Sequence, residues 1–348
     1  MHEIDGSKHS GSGTLLRYAV ALSTLTRTPL HMVRIREKRP KPGLRAQHLR
    51  AVTACAALSN GRVEGGEVGS REILYRPGPN IHSGMFRFDI GTAGSACMAA
   101  FTLIPVALHA DGPCTISIRG GLFQDFAPGF FHMERVLLPI LRYMGADVAL
   151  KMIRPGYVPQ GNGELVITVQ PLKDSLKQFC RTEQGSVRDL QGVALASHLR
   201  EQNVAPRMAD RCRMLLQSRK VVPKIEVLED STAVQRGAAL TLWASTTTGC
   251  IIGADRAGKV GRTSESIADF VVKSLLEDLE AGGTVDRHLA DQVILFAALA
   301  EGRTRYRIPV VTEHVRANLW LVETMLRLRT RIEGNMLTID GIGHKRVG

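Results

Sequence analysis

The stretch "REILYRPG" at residues 71–78 recurs in shortened form as "KMIRPG" at residues 151–156. Their spacing of roughly 80 residues exceeds the periods of solenoid repeats, so the sequence indicates a repeated folding unit. Each unit contains segments with apolar residues at helical intervals and segments in which apolar residues alternate. These patterns predict two copies of a β-α-β-α-β-β unit.

The predicted elements follow the same order in both units. In the first unit they are strand, helix, strand, helix, strand and strand at His2–Ile4, Thr14–Leu25, Leu30–Ile35, Leu44–Leu58, Arg62–Glu64 and Glu72–Tyr75. In the second unit the same series is expected at Phe86–Ile90, Ser95–His109, Thr115–Arg119, Phe130–Met144, Asp147–Met152 and Glu164–Val169.

After Arg181 the pattern changes. Helices are predicted at Ala205–Ser218 and Ser266–Glu280, and strands at Lys224–Leu228 and Ala239–Trp243. The last segment has the order of the second half of a unit, with elements at Leu289–Ala300, Tyr306–Pro309, Val315–Leu328 and Met336–Ile339. We therefore predict an α/β fold in which residues 1–183 and 281–348 form a repeat scaffold and residues 184–280 form a smaller inserted α/β domain.

The charge of the 348-residue chain is basic, with 45 Lys and Arg against 33 Asp and Glu, or +12 at pH 7. A folded basic surface suits a polyanionic partner, such as nucleic acid, a nucleotide or an anionic membrane surface. The six cysteines form no CxxC pair, which indicates reduced thiols in an intracellular protein and argues against a zinc site. No apolar run of about 18 residues occurs, so we expect no membrane-spanning helix.

Two turns of small residues precede predicted helices: "DGSKHSGSGT" at Asp5–Thr14 and "GTAGSAC" at Gly91–Cys97. Backbone N–H groups and a helix N-terminus attract phosphate at such turns. Neither segment matches a Walker loop or a dinucleotide fingerprint. A plain strand-to-helix turn, or close packing of a helix on a sheet, explains these small residues about equally well.

The segment "RPKPGLRAQHLR" at residues 39–50 also lies between a predicted strand and a predicted helix. We call residues Arg36–Arg45, which overlap the start of this segment, the elbow. Pro42 suits the start of a helix, and Gly43 allows close approach of other groups. Arginines on such a rigid turn can grip phosphates with two nitrogens at once. The alternative is a solvated basic loop.

His314 lies in "VVTEHVRANLWLVE", where a predicted strand gives way to a helix. A histidine at a helix N-terminus is disfavoured as a cation, so its imidazole tends to stay neutral and nucleophilic. The chain has eleven histidines, and a structural role is the alternative for any one of them.

These pieces together resemble the RNA 3'-terminal phosphate cyclase family over nearly the whole chain. The matching motifs are "DG…G.G…LR" at Asp5–Arg17, "IREKRPKPGLRAQHL" at Ile35–Leu49, "AGS" at Ala93–Ser95, "GG……AP" at Gly120–Pro128, "RPGYVPQGNGE" at Arg154–Glu164, "TGCIIGADRAGKVG" at Thr248–Gly261, "LADQ" at Leu289–Gln292 and "TEHVRANL" at Thr312–Leu319. The run "GGTV…LADQVILFAALA" looks similar to eukaryotic-type members.

The resemblance implies repeated units like those of enolpyruvyl-shikimate-phosphate synthase, with an insert similar to the C-terminal domain of translation initiation factor 3. It implies ATP and Mg2+ or Mn2+ as cofactors, an RNA with a 3'-phosphate end as partner, and a 2',3'-cyclic phosphate as product. The protein would be nuclear in a eukaryote and otherwise cytoplasmic.

The resemblance also assigns roles to residues. His314 matches the nucleophile that accepts AMP. The ATP-binding positions are Asp291, His288, Gln292, Gly94, Ser95 and Pro128. The RNA-binding or phosphate-binding positions are Arg17, Arg36, Arg39, Arg45 and Gln47.

Four positions depart from the family pattern. Ser10 stands in place of a glutamate expected to serve the metal, Phe101 in place of a glutamine, and Leu122 in place of a threonine; His288 replaces an aromatic residue that stacks on adenine. These departures leave two readings open. One is a divergent cyclase. The other is a non-catalytic relative that binds RNA or a ribonucleoprotein in ribosome biogenesis. A carbon–oxygen transferase shares only the architecture, and fold alone does not carry function.

Overall fold

A computed structural model describes residues 1–9, 11–125, 127–217 and 221–346. Within these ranges the chain is a mixed α/β protein with four sheets of four strands each, as the sequence predicts at the level of fold class. None of the helices in the described ranges is long and apolar enough to cross a membrane.

The first sheet contains β1, β2, β4 and β3, in that order across the sheet. In chain order its elements are β1 (His2–Asp5), α1 (Gly13–Thr26), β2 (Leu30–Val33), α2 (Ala46–Ser59), β3 (Arg62–Glu64) and β4 (Ile73–Arg76). β1 and β2 are parallel, and β4 is antiparallel to both of its neighbours. All six elements lie within a few residues of their predicted positions.

The second sheet has the equivalent strand order, β5-β6-β8-β7. Its elements are β5 (Gly84–Asp89), α3 (Ala96–Ala107), β6 (Cys114–Gly120), α4 (Phe130–His132), α5 (Leu138–Tyr143), β7 (Val148–Arg154) and β8 (Gly163–Val169). The prediction of one regular helix over Phe130–Met144 is wrong, because a π-helical turn at Met133–Leu137 separates α4 from α5. Pro139 lacks the N–H that a regular α-helix would use here.

The inserted segment follows β9 (Cys180–Arg181). It contains β10 (Val187–Ser197), α6 (Val204–Leu216), β11 (Lys224–Asp230), β12 (Gly237–Thr246), β13 (Ile251–Ala257) and α7 (Ser264–Glu280). The sheet order is β11-β10-β12-β13. One face packs on α6 and α7 in a core of its own. The other face contributes Val193, Leu195 and Trp243 to the main core, so this sheet is buried on both sides.

The third scaffold sheet is completed after the insertion by α8 (Leu289–Leu299), β14 (Glu301–Arg307), α9 (Glu313–Leu326), β15 (Thr330–Glu333) and β16 (Met336–Ile342). Its strand order, β9-β14-β16-β15, repeats that of the first two sheets. The predicted strand at Tyr306–Pro309 is misplaced, since β14 begins five residues earlier, at Glu301. The sequence prediction did not include β9, β10, β13 and β15.

Helices from all three scaffold sheets pack together in the main core. Every residue of α3 is buried, and so is every residue of α8 except Asp291. Phe101 of α3 stacks on Tyr18 of α1 with ring centroids 5.6 Å apart and meets Phe296 of α8 edge-on at 5.5 Å. This packing holds the starts of α1, α8 and α9 near one another, and the site is built there.

Candidate active site

His314 lies in the first turn of α9, two residues after the N-cap Thr312, whose side chain accepts the Val315 N–H. The His314 Nδ1 atom is 3.4 Å from the Oγ atom of Ser12. Ser12 is itself the N-cap of α1 and belongs to the small-residue turn at Asp5–Thr14. Two helices that are about 300 residues apart in the sequence therefore start at one point, with a histidine ring between them.

The surroundings of His314 favour its neutral form. Burial lowers the pKa of His314, and the charges of Arg39 and Arg17 lower it further, with a smaller effect of His288 in the same direction. Glu313 opposes these effects but does not reverse them. A neutral imidazole with one unprotonated nitrogen can act as a nucleophile.

The elbow brings Arg39 towards this ring, and Arg36 shapes the elbow. The Arg36 Nη1 atom donates to the carbonyl oxygens of Lys41 at 2.7 Å and Gly43 at 2.9 Å. Gly43 has a φ of +77°, and a Cβ atom there would overlap the Gly69 carbonyl, so glycine is required. Arg39 and Arg45 form no ion pair within the described residues. Their charges are therefore available to an anion.

Gln47 links the start of α2 to the start of α3. Its Oε1 atom accepts the Ser95 N–H at 2.8 Å. The Ser95 hydroxyl caps α3 by accepting the Met98 N–H at 3.1 Å. A Cβ atom on Gly94 would come within 2.9 Å of the Gln47 Cβ, so the glycine permits this close approach. The structure thus places Gln47, predicted to bind RNA or phosphate, against Gly94 and Ser95, predicted to bind ATP, where the starts of α2 and α3 meet.

His48 is a site residue that the sequence reasoning missed, although it lies inside the quoted "GLRAQHL" motif. Its Nδ1 atom accepts the Arg45 N–H at 3.2 Å, and burial lowers its pKa well below the ordinary value. The neutral ring therefore carries its proton on Nε2, which lies 3.5 Å from the amide nitrogen of Gln47. The same Nε2 atom lies against Gly13, where a Cβ atom would be only 2.0 Å away, so a glycine is required there.

Asp291 lies in the first turn of α8 and contacts residues of α9 and α1. The Asn318 side chain, one turn along α9 from His314, donates to Asp291 Oδ2 at 3.2 Å, and the Tyr18 hydroxyl donates to the Asp291 carbonyl at 3.3 Å. Burial raises the pKa of Asp291 to about 7, although Arg17 opposes the shift. Asp291 therefore keeps its proton to a higher pH than an exposed aspartate does.

Arg17 is 7% exposed, unusually buried for an arginine. Its Nη2 atom donates to the Thr14 hydroxyl at 3.2 Å, while its buried Nε atom has no partner among the described residues. Burial lowers the pKa of Arg17 to about 10, so it remains a cation. An unpaired guanidinium N–H inside the cleft suits an anionic ligand.

His288 precedes α8 and borders a cavity of about 100 Å³ between Ala127, strand β13 and helix α7. Pro128 is buried and follows Ala127, which lines this cavity. The following residue, Gly129, donates its N–H to Asp255 at 2.5 Å. Gln292 is buried in the first turn of α8. The predicted ATP-binding residues therefore form two groups, with Gly94 and Ser95 at α3 and the other four around the start of α8.

Asp286 was not among the predicted residues. It is fully buried and accepts four hydrogen bonds: from His132 Nε2 at 3.0 Å, from the Gly253 N–H at 3.0 Å, and from the N–H groups of His288 and Leu289 at 2.8 and 2.9 Å. We call this group the Asp286 joint. Although burial opposes both shifts, the pairing lowers the pKa of Asp286 to about 2 and raises that of His132. The joint therefore holds a buried ion pair.

Comparison with known proteins identifies the family to which the chain belongs. Residues 8–332 match the family model described as RNA 3'-terminal phosphate cyclase. The chain belongs to the RNA 3'-terminal phosphate cyclase family. Relatives named RNA 3'-terminal phosphate cyclase include one from Archaeoglobus fulgidus, 37% identical over 97% of this chain and 100% of the relative. Another, from Pyrobaculum neutrophilum, is 34% identical over 98% of this chain and 99% of the relative.

A relative of the same name from the bacterium Methylococcus capsulatus is 34% identical over 92% of this chain and 90% of the relative. These cyclase relatives come from archaea and a bacterium, so they give no support to the expectation of a nuclear protein. Among solved structures, the enolpyruvyl transferase NikO from Streptomyces tendae covers 98% of this chain and 82% of its own, at 10% identity and a TM-score of 0.17. That likeness is too slight to carry an argument.

The departures from the cyclase pattern fall in different surroundings. Phe101 is 1% exposed and packs between Tyr18 and Phe296. Leu122 is equally buried, and its N–H donates to the Gly156 carbonyl. Both fill the core and offer no polar group to a ligand. Ser10 lies outside the described residues. Within those residues, no group of three or more His, Cys, Asp or Glu side chains is arranged to hold a metal ion.

Proposed function

We propose that this chain converts an RNA 3'-phosphate to a 2',3'-cyclic phosphate with ATP, through AMP bound covalently to His314. The main support is the position of the His314 ring, which is neutral, partly exposed and surrounded by Arg17 and Arg39 at the meeting of α1 and α9. Family membership supports the RNA substrate and the cyclic product.

The first step forms a bond from a ring nitrogen of His314 to the α-phosphorus, while the bond to the β-phosphate oxygen breaks and pyrophosphate leaves. Ser12 faces Nδ1, which leaves Nε2 for the attack. Pyrophosphate carries away negative charge, and fixed cations such as Arg17 and Arg39 stabilise that charge as it develops.

In the second step an oxygen of the RNA 3'-phosphate attacks the bound AMP. The phosphorus–nitrogen bond breaks, and the histidine returns to its starting form. In the third step the adjacent 2'-hydroxyl attacks the activated 3'-phosphorus and loses its proton, the ring closes and AMP leaves. The Gln47 amide, with Arg39 and Arg45, suits the RNA phosphate that must stay in place through both steps.

In this proposal ATP lies between the two groups of predicted residues, with its base near His288 and Pro128 and its phosphates near Gly94, Ser95 and Arg17. Mg2+ or Mn2+ would be held by the nucleotide phosphates together with Asp291, because Mg2+ is usually bound by one or two carboxylates and substrate phosphates. Such an ion would offset phosphate charge. The proposal also keeps the repeat scaffold of the enolpyruvyl-shikimate-phosphate synthase type, with the insertion at residues 184–280, and the shared strand order of three sheets supports it.

The second candidate function is binding of RNA or a ribonucleoprotein without turnover. The burial of Phe101, where the family has a glutamine, favours it. Incubation with α-labelled ATP and Mg2+, followed by denaturing electrophoresis, separates the two. A protein-bound label that is stable to alkali and lost in acid supports the cyclase. If the protein binds ATP and RNA but never acquires this label, the binding-only function replaces it.

A further inference from the structure

The Asp286 joint connects three parts of the chain that are distant in sequence. His132 belongs to α4 of the second scaffold sheet, Gly253 to β13 of the inserted segment, and His288 and Leu289 to the start of α8. The His132–Asp286 contact spans 154 residues. Both ionic side chains are 0% exposed, so water cannot take the place of any partner.

The start of α8 depends on this carboxylate for its capping. The N-cap position of α8 is His288, whose own side chain makes no capping hydrogen bond. The Asp286 Oδ1 atom instead accepts the N–H groups of His288 and Leu289. A carboxylate at a helix N-terminus is favoured both by these hydrogen bonds and by the helix dipole.

The other oxygen connects α8 to the inserted segment. Asp286 Oδ2 accepts from both His132 and the Gly253 N–H at 3.0 Å. Gly253 lies tightly against the same histidine, because a Cβ atom there would be 2.7 Å from Val136 and 3.1 Å from the His132 ring. The His132 ring in turn meets the His288 ring edge-on at 5.9 Å. A shift of β13 is therefore passed to His288 through direct contacts.

We infer that Asp286 is a positioning residue for the nucleotide: it fixes the start of α8, with His288 and Asp291, relative to β13 of the inserted segment. The inference rests on the proposed ATP site. It follows that the inserted segment sets the affinity for ATP without supplying the reacting histidine. Because His288 and Asp291 are proposed contacts of ATP, a shift in the start of α8 should weaken ATP binding.

The conservative substitution Asp286→Asn tests the inference. An asparagine keeps an oxygen for the two α8 N–H groups but turns an amide donor towards His132 and Gly253, which are also donors. We expect the Kd for ATP, measured calorimetrically, to rise about 10-fold or more. The rate of His314 labelling at saturating ATP should stay within about three-fold of wild type, because the nucleophile itself is not moved.

A second variant and a matched control guard against simple loss of stability. Gly253→Ala places a methyl group against Val136 and His132 and should also raise the Kd for ATP. Gly258→Ala, just beyond the same strand, would meet only Ala238 at 3.2 Å and should leave ATP affinity within about two-fold. Loss of labelling that no ATP concentration restores would indicate unfolding and overturn the positioning role.

The failures of the two proposals are distinguishable. If wild-type protein binds ATP but Asp286→Asn and Gly253→Ala bind it equally well, the positioning role is wrong and the proposed function is untouched. If folded wild-type protein does not bind ATP at all, the proposed function fails, and the positioning inference fails with it.

Discussion

The surroundings of His314 and of His132 shift the pKa values of these two histidines in opposite directions. His314 is partly exposed, near Arg17 and Arg39, and its pKa is lowered. His132 is fully buried against the Asp286 carboxylate, and its pKa is raised. Burial disfavours the cation in both cases. The nearest charged groups decide the direction of each shift, favouring the neutral form of His314 and the protonated form of His132.

The largest effect should come from removing the nucleophile. His314→Ala should abolish transfer of label from α-labelled ATP to the protein, while the Kd for ATP changes by less than about three-fold, because a nucleophile contributes mainly in the transition state. His314→Asn should fail equally, since an amide cannot form the covalent bond to phosphorus. Electrophoresis and calorimetry measure the two quantities. Residual labelling of His314→Ala would show that another residue is the nucleophile.

Removing Asp286, the partner of His132, should lower the free energy of unfolding and leave the labelling reaction itself intact. Asp286→Ala leaves a buried cation without its anion, and breaking a buried pair in this way costs about 3–5 kcal/mol of unfolding free energy. Denaturant titration measures the loss. Asp340→Ala, which removes a solvent-exposed pair with Arg303, is the matched control and should cost no more than about 1 kcal/mol. Equal costs would show that the joint is not a tightly coupled ion pair.

The two histidines should also give stability opposite dependences on pH. The lowered pKa of His314 means that the unfolded chain binds its proton more readily, so this residue's contribution is full above pH 6.5 and declines as the pH falls below it. The raised pKa of His132 gives a contribution that is full below pH 6.5 and is lost as the pH rises through the folded value.

The measurement is the unfolding free energy of wild type against His314→Gln and His132→Gln at several pH values. The advantage of wild type over His314→Gln should shrink towards acid, and its advantage over His132→Gln should shrink towards alkali. If the two variants had parallel pH profiles, the opposite pKa shifts of His314 and His132 would be contradicted.

The smallest effect concerns one cation of the His314 cleft. Arg39→Ala should bring the pKa of His314 closer to its ordinary value, which nuclear magnetic resonance can follow through the ring protons. The substitution should weaken the binding of RNA of every sequence alike. It should also reduce the slope of log affinity against log salt by about 0.7, the contribution of one phosphate contact to a single strand. Arg62→Ala, on the outer face of the first sheet, is the control and should change neither quantity.

Much of the scaffold could be predicted because its signals are local. The helix α2 has buried residues at helical intervals, whereas α1 is buried along almost its whole length. Both helices end at turns that contain proline or glycine, at Thr28–Pro29 and Asn60–Gly61. The elbow was also visible, since Pro42 and Gly43 interrupt a basic run. The strands of the third sheet were harder to predict from the sequence. The outward positions of β14 hold Arg303 and Arg305, and the Thr304 and Tyr306 that face inwards are too polar to reveal the alternation.

The candidate site was predicted in part for the same reason. The residues of the cleft lie in motifs, so His314, Arg39 and Gln47 could be singled out from the sequence. The Asp286 joint could not, because its histidine and its carboxylate are 154 residues apart in the chain, and nothing in the run that contains Asp286 pairs it with His132. The tautomer of His48 likewise depends on the Arg45 N–H that its ring accepts, which only the folded backbone places there.

The pairing of β9 with β14 has a consequence for the synthesis of the chain. Cys180 and Arg181 lie beside Arg305 and Tyr306, so the third sheet closes around the whole inserted segment. On a ribosome, the first two sheets have all of their strands once residue 169 has emerged. β9 then waits without a partner until β14 is made, while β10–β13 and their two helices assemble. The scaffold is therefore completed last, by residues that close a long loop, and a stall before β14 would release a chain with an exposed strand edge, a species prone to aggregation.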